Sequence, residues 1–592
     1  MTASVSVITV SYHTGPTLWV TIASVLQQPE CLEMIVVNNG NMPGDEKRLN
    51  DWAAKELRLK ILSGHGNVGF GKGNNLGVAN ASGDYVLLLN PDSMLPEGGL
   101  TKLHAEMAQQ PENTLAGCYL INPDGSEQRG GRRALLTPEN AMAESLGLSR
   151  FLKSADKLNY NNMPMPENTH AVPVISGAFM FLARSFYQRL KGFDEGYFLH
   201  MEDTDFCYRV HQAGGRVICV PSVKVLHFRS TSEVTSSFLE KHKAKGFVRY
   251  LNKFFASQYS LRFMKAMEYG IYARLWVKII LGKIDGLFIS PQEGRREVAA
   301  LALLYDQSRF SVQDNALAGK TILVAGATSQ IGLYVIGRAL ARGANVVALH
   351  NRAHVAFTHP NLEWKRCNLT KPKNIAACKL IKADVLVYTA PIPLLTPLVA
   401  VLHNEVKRVI ILGSGLPPGK EEAKVGDDLI QISGELQCNI TVLNPLLPYG
   451  LGIDRHITSL ASVIKRLGYV ALYGKGKGLR NPVQVADVVE AVFAVVDNPQ
   501  TYNKVYNLGG GSKVTYLEMI DQISAYVGAK ARRINIFFLP GLLQILGKAF
   551  ELDAVDEQMA KRMNRDISFD NSRAMEDFNY LPKAFLEGNI TV

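Results

Sequence analysis

Cysteine is scarce and scattered, with seven residues in 592 and no two closer than eleven positions. No C-x-x-C pair exists, which leaves neither a zinc cluster nor a disulfide framework. No secretory leader is expected either. Residues 1–10, MTASVSVITV, have no basic n-region and no long apolar core, so the chain is expected to stay in the reducing cytoplasm. Long apolar runs are almost absent too. The uncharged stretch from Val385 to Asn404 is long enough to raise the question of a membrane span. It carries Pro391, Pro393 and Pro397, each of which would cost a helix hydrogen bond or clash with the preceding turn, so strand, loop and helix are expected there. The 50 glycines and 26 prolines show no period, which removes collagen-like and low-complexity readings. What remains is a globular balance, 47% apolar and 20% charged, long enough for two to four domains.

Charge is unevenly placed. The formal net charge is +11, yet residues 1–230 stand at −2, residues 231–300 at +6 and residues 301–592 at +7. Acid is nearly missing from Lys241–Lys283, which holds ten basic residues, nine aromatics and Glu268 as its one acid. No nucleic-acid reader motif accompanies that charge, so nucleic acid is not an expected partner. One reading is a helical extension with its cations in water. The other is an interfacial surface, with aromatics at headgroup depth and cations against anionic lipid.

The first 230 residues alternate short β-branched strands (4–10, 33–37, 85–89) with helical spacing (17–28, 45–57), which implies a mainly parallel sheet with ligands at the carboxyl ends of its strands. An unbroken apolar strand ends in Asn90-Pro91-Asp92-Ser93 and delivers a carboxylate to the sheet edge, where it suits a hard divalent cation held against a diphosphate. An ordinary strand-to-turn Asp is the plainer reading. The Gly- and Asn-rich run 64–77, GHGNVGFGKGNNLG, lets backbone amides approach a phosphate or sugar. Glu202, Asp203 and Asp205 put three carboxylates in four residues at the start of a helix expected over 204–213. They either cap that helix and charge its N-terminus, or one of them is a base.

The order of VVNNG, NVGFGKGNNLG, LLLNPDS, SGAFMF, GFDEGYFLHMEDTDFCYR and VPSVKVLHFRSTS resembles the family 2 glycosyltransferases of GT-A fold, in particular the rhamnosyltransferase-like branch that assembles bacterial surface polysaccharides. The resemblance covers about residues 4–235 and implies an inverting single displacement. It implies that Asp92 holds Mg²⁺ or Mn²⁺ on the donor diphosphate. Asp203, with Glu202 beside it, is then the general base, and His227 lies near the leaving group. Asn38, Asn39, Asn67, Asn90 and Gly177 fall at substrate-binding positions. Many relatives have Asp-Asn where this chain has Asn38-Asn39; an Asn oxygen can still accept from a pyrimidine N3–H, so base binding is expected to be kept but loosened.

A second α/β unit begins near Ala318. Gly326-Ala327-Thr328-Ser329-Gln330-Ile331-Gly332 follows a strand and opens a helix, the context of a dinucleotide fingerprint. With ADVLVYTA, RVIILGSG, NPLLPYGLG, LRNPVQVADVVEA and YNLGGGSKVTYLEM, it resembles the extended short-chain dehydrogenase/reductases, the group of nucleotide-sugar epimerases and dehydratases, over about 319–592. The resemblance implies NAD or NADP at Gly326, Ser329, Ile331 and Gly332, with Arg352 favouring a 2′-phosphate. Two departures stand against catalysis. Ser329 replaces the middle glycine, and LPPGKEEAKVGDDLIQ after Ser414 offers Lys420 and Lys424 but no tyrosine for a Tyr-x-x-x-Lys pair.

The expected fold class is α/β throughout: a GT-A nucleotide-diphospho-sugar transferase fold (1–235), a basic aromatic helical extension and linker (236–318), and a Rossmann-fold domain of epimerase/dehydratase type (319–592). The expected function is metal-dependent transfer of a sugar from a nucleotide-diphosphate donor to a growing, polyprenyl-diphosphate-linked glycan at the inner face of the cytoplasmic membrane, with a C-terminal domain that lacks redox activity. Two alternatives stay open. In one the C-terminal domain is an active epimerase, dehydratase or reductase; in the other the chain is a non-catalytic scaffold for polysaccharide assembly.

Overall fold

A computed structural model describes residues 4–145, 159–161, 163–229, 236–288, 292–351, 355–402, 406–413, 438–454, 456–536 and 562–588. The chain divides into two compact units, one ending at Val298 and the other beginning at Ala299.

The strands of the first unit are β1 (Val5–Ser11), β2 (Cys31–Asn38), β3 (Leu59–Leu62), β4 (Tyr85–Leu89), β5 (Ser93–Met94), β6 (Thr114–Ile121), β7 (Arg132–Arg133), β8 (His170–Ala171), β9 (Val174–Ile175), β10 (Phe179–Ala183) and β11 (Arg216–His227). Nine of them form one sheet in the order β3-β2-β1-β4-β10-β6-β11-β5, with β8 against β11; β7 and β9 pair separately. The run β3-β2-β1-β4 is parallel, while β10 is antiparallel to both β4 and β6. β1 is buried along its whole length, so its near-continuous apolar text suits a central strand covered on both faces. Its side chains alternate between two cores. Val5 and Val7 meet Leu18, Trp19 and Ile22 of the helix Thr17–Leu26, whereas Ile8 and Val10 join Val78, Phe206 and Val210.

Two helices, Ser236–Phe255 and Leu261–Phe288, follow β11 and pack on each other. Their core contains Tyr250, Leu251, Phe255 and Met264, and it extends to Tyr197 and Met201 just before the acidic run. The helix expected over 204–213 starts earlier, at Glu202, so all three carboxylates sit in its first turn.

The second unit has a seven-stranded, wholly parallel sheet. Its strands are β12 (Thr321–Ala325), β13 (Asn345–His350), β14 (Leu362–Arg366), β15 (Val385–Tyr388), β16 (Arg408–Leu412) and β17 (Asn439–Pro445), then, beyond β18 (Tyr469–Leu472) and β19 (Leu479–Arg480), β20 (Lys504–Leu508). The order β14-β13-β12-β15-β16-β17-β20 is that of a doubly wound Rossmann sheet. This unit takes in more of the connection than its sequence suggests. A helix runs over Gln292–Tyr305 with Leu301 and Leu304 buried, and Gln307 fills the space beside Gly337 on the first Rossmann helix. The proline-bearing stretch after residue 384 forms β15, a short turn and the helix Leu395–Leu402. Among the described residues no helix is long and apolar enough to cross a membrane.

Candidate functional site

Two acidic centres meet at one edge of the first sheet. β4 carries the chain to Asn90-Pro91-Asp92, and Ser93 of β5 pairs with His227 at the end of β11. The Phe228 amide donates to the Asp92 carbonyl at 2.9 Å. This register sets Asp92 Oδ1 3.0 Å from His227 Nε2, with both side chains buried. On the other side of the ring, Nδ1 lies 2.6 Å from Gln128 Oε1. The Gln128 amide nitrogen donates to the His227 carbonyl and to Asn122 Oδ1, both at 3.2 Å, and this fixes its oxygen toward the ring. Nδ1 therefore donates to Gln128, and Nε2, which faces Asp92, also lies 3.2 Å from Asn90 Nδ2. A lone pair and a carboxylate oxygen 3.0 Å apart repel unless a proton or a cation lies between them.

The second centre is built on the start of the 202–212 helix. Asp203 accepts four hydrogen bonds: from Arg133 Nη2 at 2.5 Å and the Gly177 amide at 3.1 Å on Oδ2, and from the Thr204 amide at 2.7 Å and hydroxyl at 3.1 Å on Oδ1. Burial pushes its carboxyl up, but the Arg133 guanidinium and the two amides outweigh burial and hold it below its ordinary value. Glu202 goes the other way. Burial and the neighbouring Asp203 charge raise it, and its Oε2 is buried without a hydrogen-bond partner. Asp205 is structural: it pairs with Arg209 at 2.6 Å and Lys253 at 2.6 Å, and the Tyr197 hydroxyl donates to it. The two adjacent carboxyls are thus pushed in opposite directions.

The backbone entering this helix is strained. His200 and Met201 have φ of 69° and 75°, left-handed values that cost non-glycine residues roughly 1–3 kcal/mol each and persist only where packing imposes them.

A short chain of bonds joins the two centres. The Gly177 amide is on Asp203, the next carbonyl, Ala178, accepts from the Asn90 amide at 2.9 Å, and Asn90 contacts His227. A third group lies beyond β2. Asn38 Oδ1 accepts from the Gly40 and Asn41 amides and from Asn41 Nδ2, closing a turn. Asn39 Nδ2 donates to the Gly69 carbonyl and to Asn67 Oδ1, while its Oδ1 faces His65 Nε2 at 3.1 Å.

Residues 6–190 match the profile described as Glycosyl transferase family 2. The N-terminal unit is a family 2 glycosyltransferase domain. The chain is 26% identical over 262 residues to the N-acetylglucosaminyl-diphospho-decaprenol L-rhamnosyltransferase of Mycobacterium tuberculosis, spanning 42% of this chain and 84% of that protein. It is 29% identical over 181 residues to the rhamnosyltransferase WbbL of Escherichia coli, 29% of this chain and 64% of that one. Residues 424–509 match the NAD dependent epimerase/dehydratase family. Among solved structures the epimerase Mth375 of Methanothermobacter thermautotrophicus is similar at 16% identity, covering 48% of this chain and 93% of that chain with a TM-score of 0.38.

In the glycosyltransferase domain the Asp92–His227 pair fits a divalent cation. The two side chains face each other at 3.0 Å, although no group of three or more His, Cys, Asp or Glu side chains able to hold a metal occurs among the described residues. A two-residue seat leaves the other positions to phosphate oxygens and water, which Mg²⁺ and Mn²⁺ commonly retain. Gln128 and Arg133 were not singled out by sequence reasoning. The run Gln128-Arg129-Gly130-Gly131-Arg132-Arg133 was the available signal, three arginines in five residues of an otherwise slightly acidic region.

The epimerase-like unit brings Gly326, Ser329 and Gly332 together in one turn, with Ile331 buried behind it. Gly326 has φ of 82°, and a Cβ there would lie 2.6 Å from Thr389 Oγ1. A Cβ on Gly332 would lie 2.6 Å from the Gly326 carbonyl oxygen, so the tight turn and the close helix–strand approach are kept. The middle position is different. Ser329 Oγ accepts from the Gly332 amide at 3.0 Å and shares a hydrogen bond with Thr389 Oγ1 at 2.9 Å. That hydroxyl occupies the helix N-terminus where a glycine would leave it open to a pyrophosphate, so the turn as built does not fit the dinucleotide's diphosphate. Arg352, Ser414, Lys420 and Lys424 lie outside the described residues.

Proposed function

We propose that the glycosyltransferase domain moves a sugar, with inversion, from a nucleotide-diphosphate donor to a hydroxyl of a polyprenyl-diphosphate-linked glycan at the inner face of the cytoplasmic membrane. The observation that carries this reading is the bonded path Asp203–Gly177–Ala178–Asn90–His227–Asp92, which sets a candidate base and a candidate cation seat on one sheet edge. Asp92 and His227 would hold a divalent cation, which when bound offsets charge on the departing nucleoside diphosphate. Asp203 accepts the proton of the acceptor hydroxyl as its oxygen bonds to the anomeric carbon and the bond to the diphosphate breaks. The Gly177 and Thr204 amides hold that carboxylate in orientation. All four of its acceptor sites are filled, so Arg133 must loosen before a hydroxyl can dock. Glu202, raised by burial and by the Asp203 charge, holds its proton more tightly than Asp203 does. The Asn39–Asn67 pair serves the nucleoside; the Asn38 oxygen, expected to accept from the base, is already taken by three donors of its own turn. Both relatives named above are rhamnosyltransferases, which makes a nucleotide-diphospho-rhamnose the first donor to assay.

The test is a panel of nucleotide sugars with a lipid-linked acceptor, scored by nucleotide release with and without EDTA. Asp203→Asn should lower turnover by roughly 10²–10⁴-fold while donor binding holds. Near wild-type turnover in that variant would move the base elsewhere. For the C-terminal domain the same reading assigns no hydride transfer, supported by Ser329 at the fingerprint and by the missing Tyr-x-x-x-Lys pair.

A further inference from the structure

Gln128 reaches His227 from a tight turn that follows β6. The Asn122 amide donates to the Ser126 carbonyl at 2.9 Å, and Asp124 Oδ1 accepts from the Ser126 amide at 3.0 Å and from its hydroxyl. The chain then runs back beside β6, where the Gln128 amide donates to the Leu120 carbonyl at 2.9 Å. A buried ion pair, Arg132 to Glu127 at 2.8 Å, braces the returning segment. Gln128 itself is buried, and the two protons of its side-chain nitrogen go to the oxygens of His227 and Asn122. Turned over, the amide would set its own oxygen against those two oxygens. The turn and the end of β11 therefore impose its orientation, and the ring receives an oxygen it did not select.

One residue thus grips His227 twice, at the backbone carbonyl and, 2.6 Å away, at Nδ1. Joining the turn to β11 needs only the nitrogen of that amide. The oxygen does something further: while Nδ1 donates to it, Nε2 is the nitrogen left to face Asp92 Oδ1 at 3.0 Å. Without an acceptor at Nδ1 the imidazole is free to carry its proton on Nε2 and donate it to Asp92, which closes the space between them to an ion.

We propose that Gln128 is the positioning residue of the cation seat, holding His227 so that Nε2 serves as a ligand and the seat offers nitrogen as well as oxygen. The inference rests on the Asp92–His227 seat of the transfer reading above. Its consequence is a choice among cations. Mg²⁺ takes oxygen ligands, whereas the affinity of a site with a nitrogen donor rises from Mn²⁺ to Co²⁺. Gln128 then matters least with Mg²⁺, more with Mn²⁺ and most with Co²⁺. A residue that merely held the turn would affect all three alike.

The test is titration calorimetry of the full chain with uridine diphosphate and with thymidine diphosphate, in EDTA, Mg²⁺, Mn²⁺ or Co²⁺. The quantity read is the gain in affinity that each ion gives over EDTA. In Gln128→Leu the Co²⁺ and Mn²⁺ gains should fall by roughly 10-fold or more, the common cost of losing a partner behind a ligating histidine. The Mg²⁺ gain should fall less, and binding in EDTA should not change. Gln128→Glu keeps an oxygen against Nδ1 and should keep the wild-type order of the ions, and it serves where the leucine variant does not fold. An undiminished Co²⁺ gain in Gln128→Leu, or a fall of one size with all three ions, overturns the proposal. So does loss of the ion order in Gln128→Glu. Asp92→Ala separates this inference from the reading beneath it. A gain lost there but kept in Gln128→Leu leaves the seat and removes Gln128 from it, whereas wild-type binding that ignores all three ions removes the seat and Gln128 with it.

Discussion

Replacing Arg133 with Gln should move the acid limb of the pH–rate profile upward. In the wild type the Arg133 contact and two backbone amides keep Asp203 below its ordinary carboxyl value despite burial. The base is then ionised well into acid, and kcat/KM should fall only below the usual carboxylate range. The contact is 2.5 Å between Nη2 and Oδ2, which sets the charge centres about 4 Å apart. At that separation the attraction is about 1 kcal/mol in water and about 4 kcal/mol at an effective dielectric constant near 20. With 1.36 kcal/mol per pH unit, the limits are somewhat under one unit and about three. The side chains are 21% and 14% exposed, so the outcome falls between the two limits and a rise of roughly 1–2 units is expected. The assay is nucleotide release at limiting acceptor from acid to neutral pH, read as kcat/KM. Arg133→Gln should lose activity in acid and recover much of it at neutral pH, where Asp203 is ionised again and one of its four donors is gone. Coincident acid limbs in the two proteins would refute Asp203 as the titrating base.

The other predictions concern the cation seat, the second turn and the basic hairpin. Asp92→Ala should remove most of the gain in nucleotide affinity that Mn²⁺ gives the wild type, by titration with and without the ion; an undiminished metal response would clear Asp92 of that role. Ser329→Gly should open the Gly332 amide and raise NAD or NADP affinity several-fold in calorimetry, still without absorbance change at the nicotinamide band when nucleotide sugars are added. A spectral change with either protein would restore redox chemistry to the domain. Trp276 is an exposed tryptophan on the second helix, so its emission should shift to the blue on anionic but not neutral vesicles. Lys241, Lys245 and Arg262 changed together to Gln should weaken that partitioning by roughly 100-fold at low salt, at about 1 kcal/mol per cation. An identical shift on neutral vesicles would reduce the hairpin to a solvated extension.

The strands were legible because their burial is nearly total. A run such as YVLLL before Asn-Pro-Asp has one sensible fate, and the structure places it as β4 with Asp92 at its edge. The Rossmann class of the second sheet was legible from the Gly326–Gly332 fingerprint and the family resemblance, whereas its strand order is seen only in the structure. What one sequence does not display is pairing across long separations. His227 meets Asp92 from 135 positions away, and Arg133 meets Asp203 from 70. Sequence reasoning had offered two uses for three carboxylates in four residues, capping or catalysis. Their sorting depends on partners: Arg133 for Asp203, Lys253 and Arg209 for Asp205, and no hydrogen-bond partner among the described residues for Glu202 Oε2. The basic helices looked uniform as text, and only packing shows that Arg249 and Lys253 fasten the first of them to the domain through Asp194 and Asp205.

A Cβ on Gly246 would fall 2.8 Å from the His200 carbonyl oxygen, and this packing bears on where the enzyme can be cut. The segment matched by the family 2 profile stops at residue 190, and β11 ends at His227, so a fragment trimmed to the sheet would look complete. Such a fragment would retain both apolar layers of the sheet. It would also bare Tyr197 and Met201, which the hairpin covers, and release the pressure that keeps two consecutive left-handed residues in place. Freed of it, the loop can relax to ordinary angles, turning the first helical turn and the Asp203 carboxylate away from Arg133 and Gly177. A fragment meant to keep this packing therefore has to run past the second helix of the hairpin and not stop after the last strand.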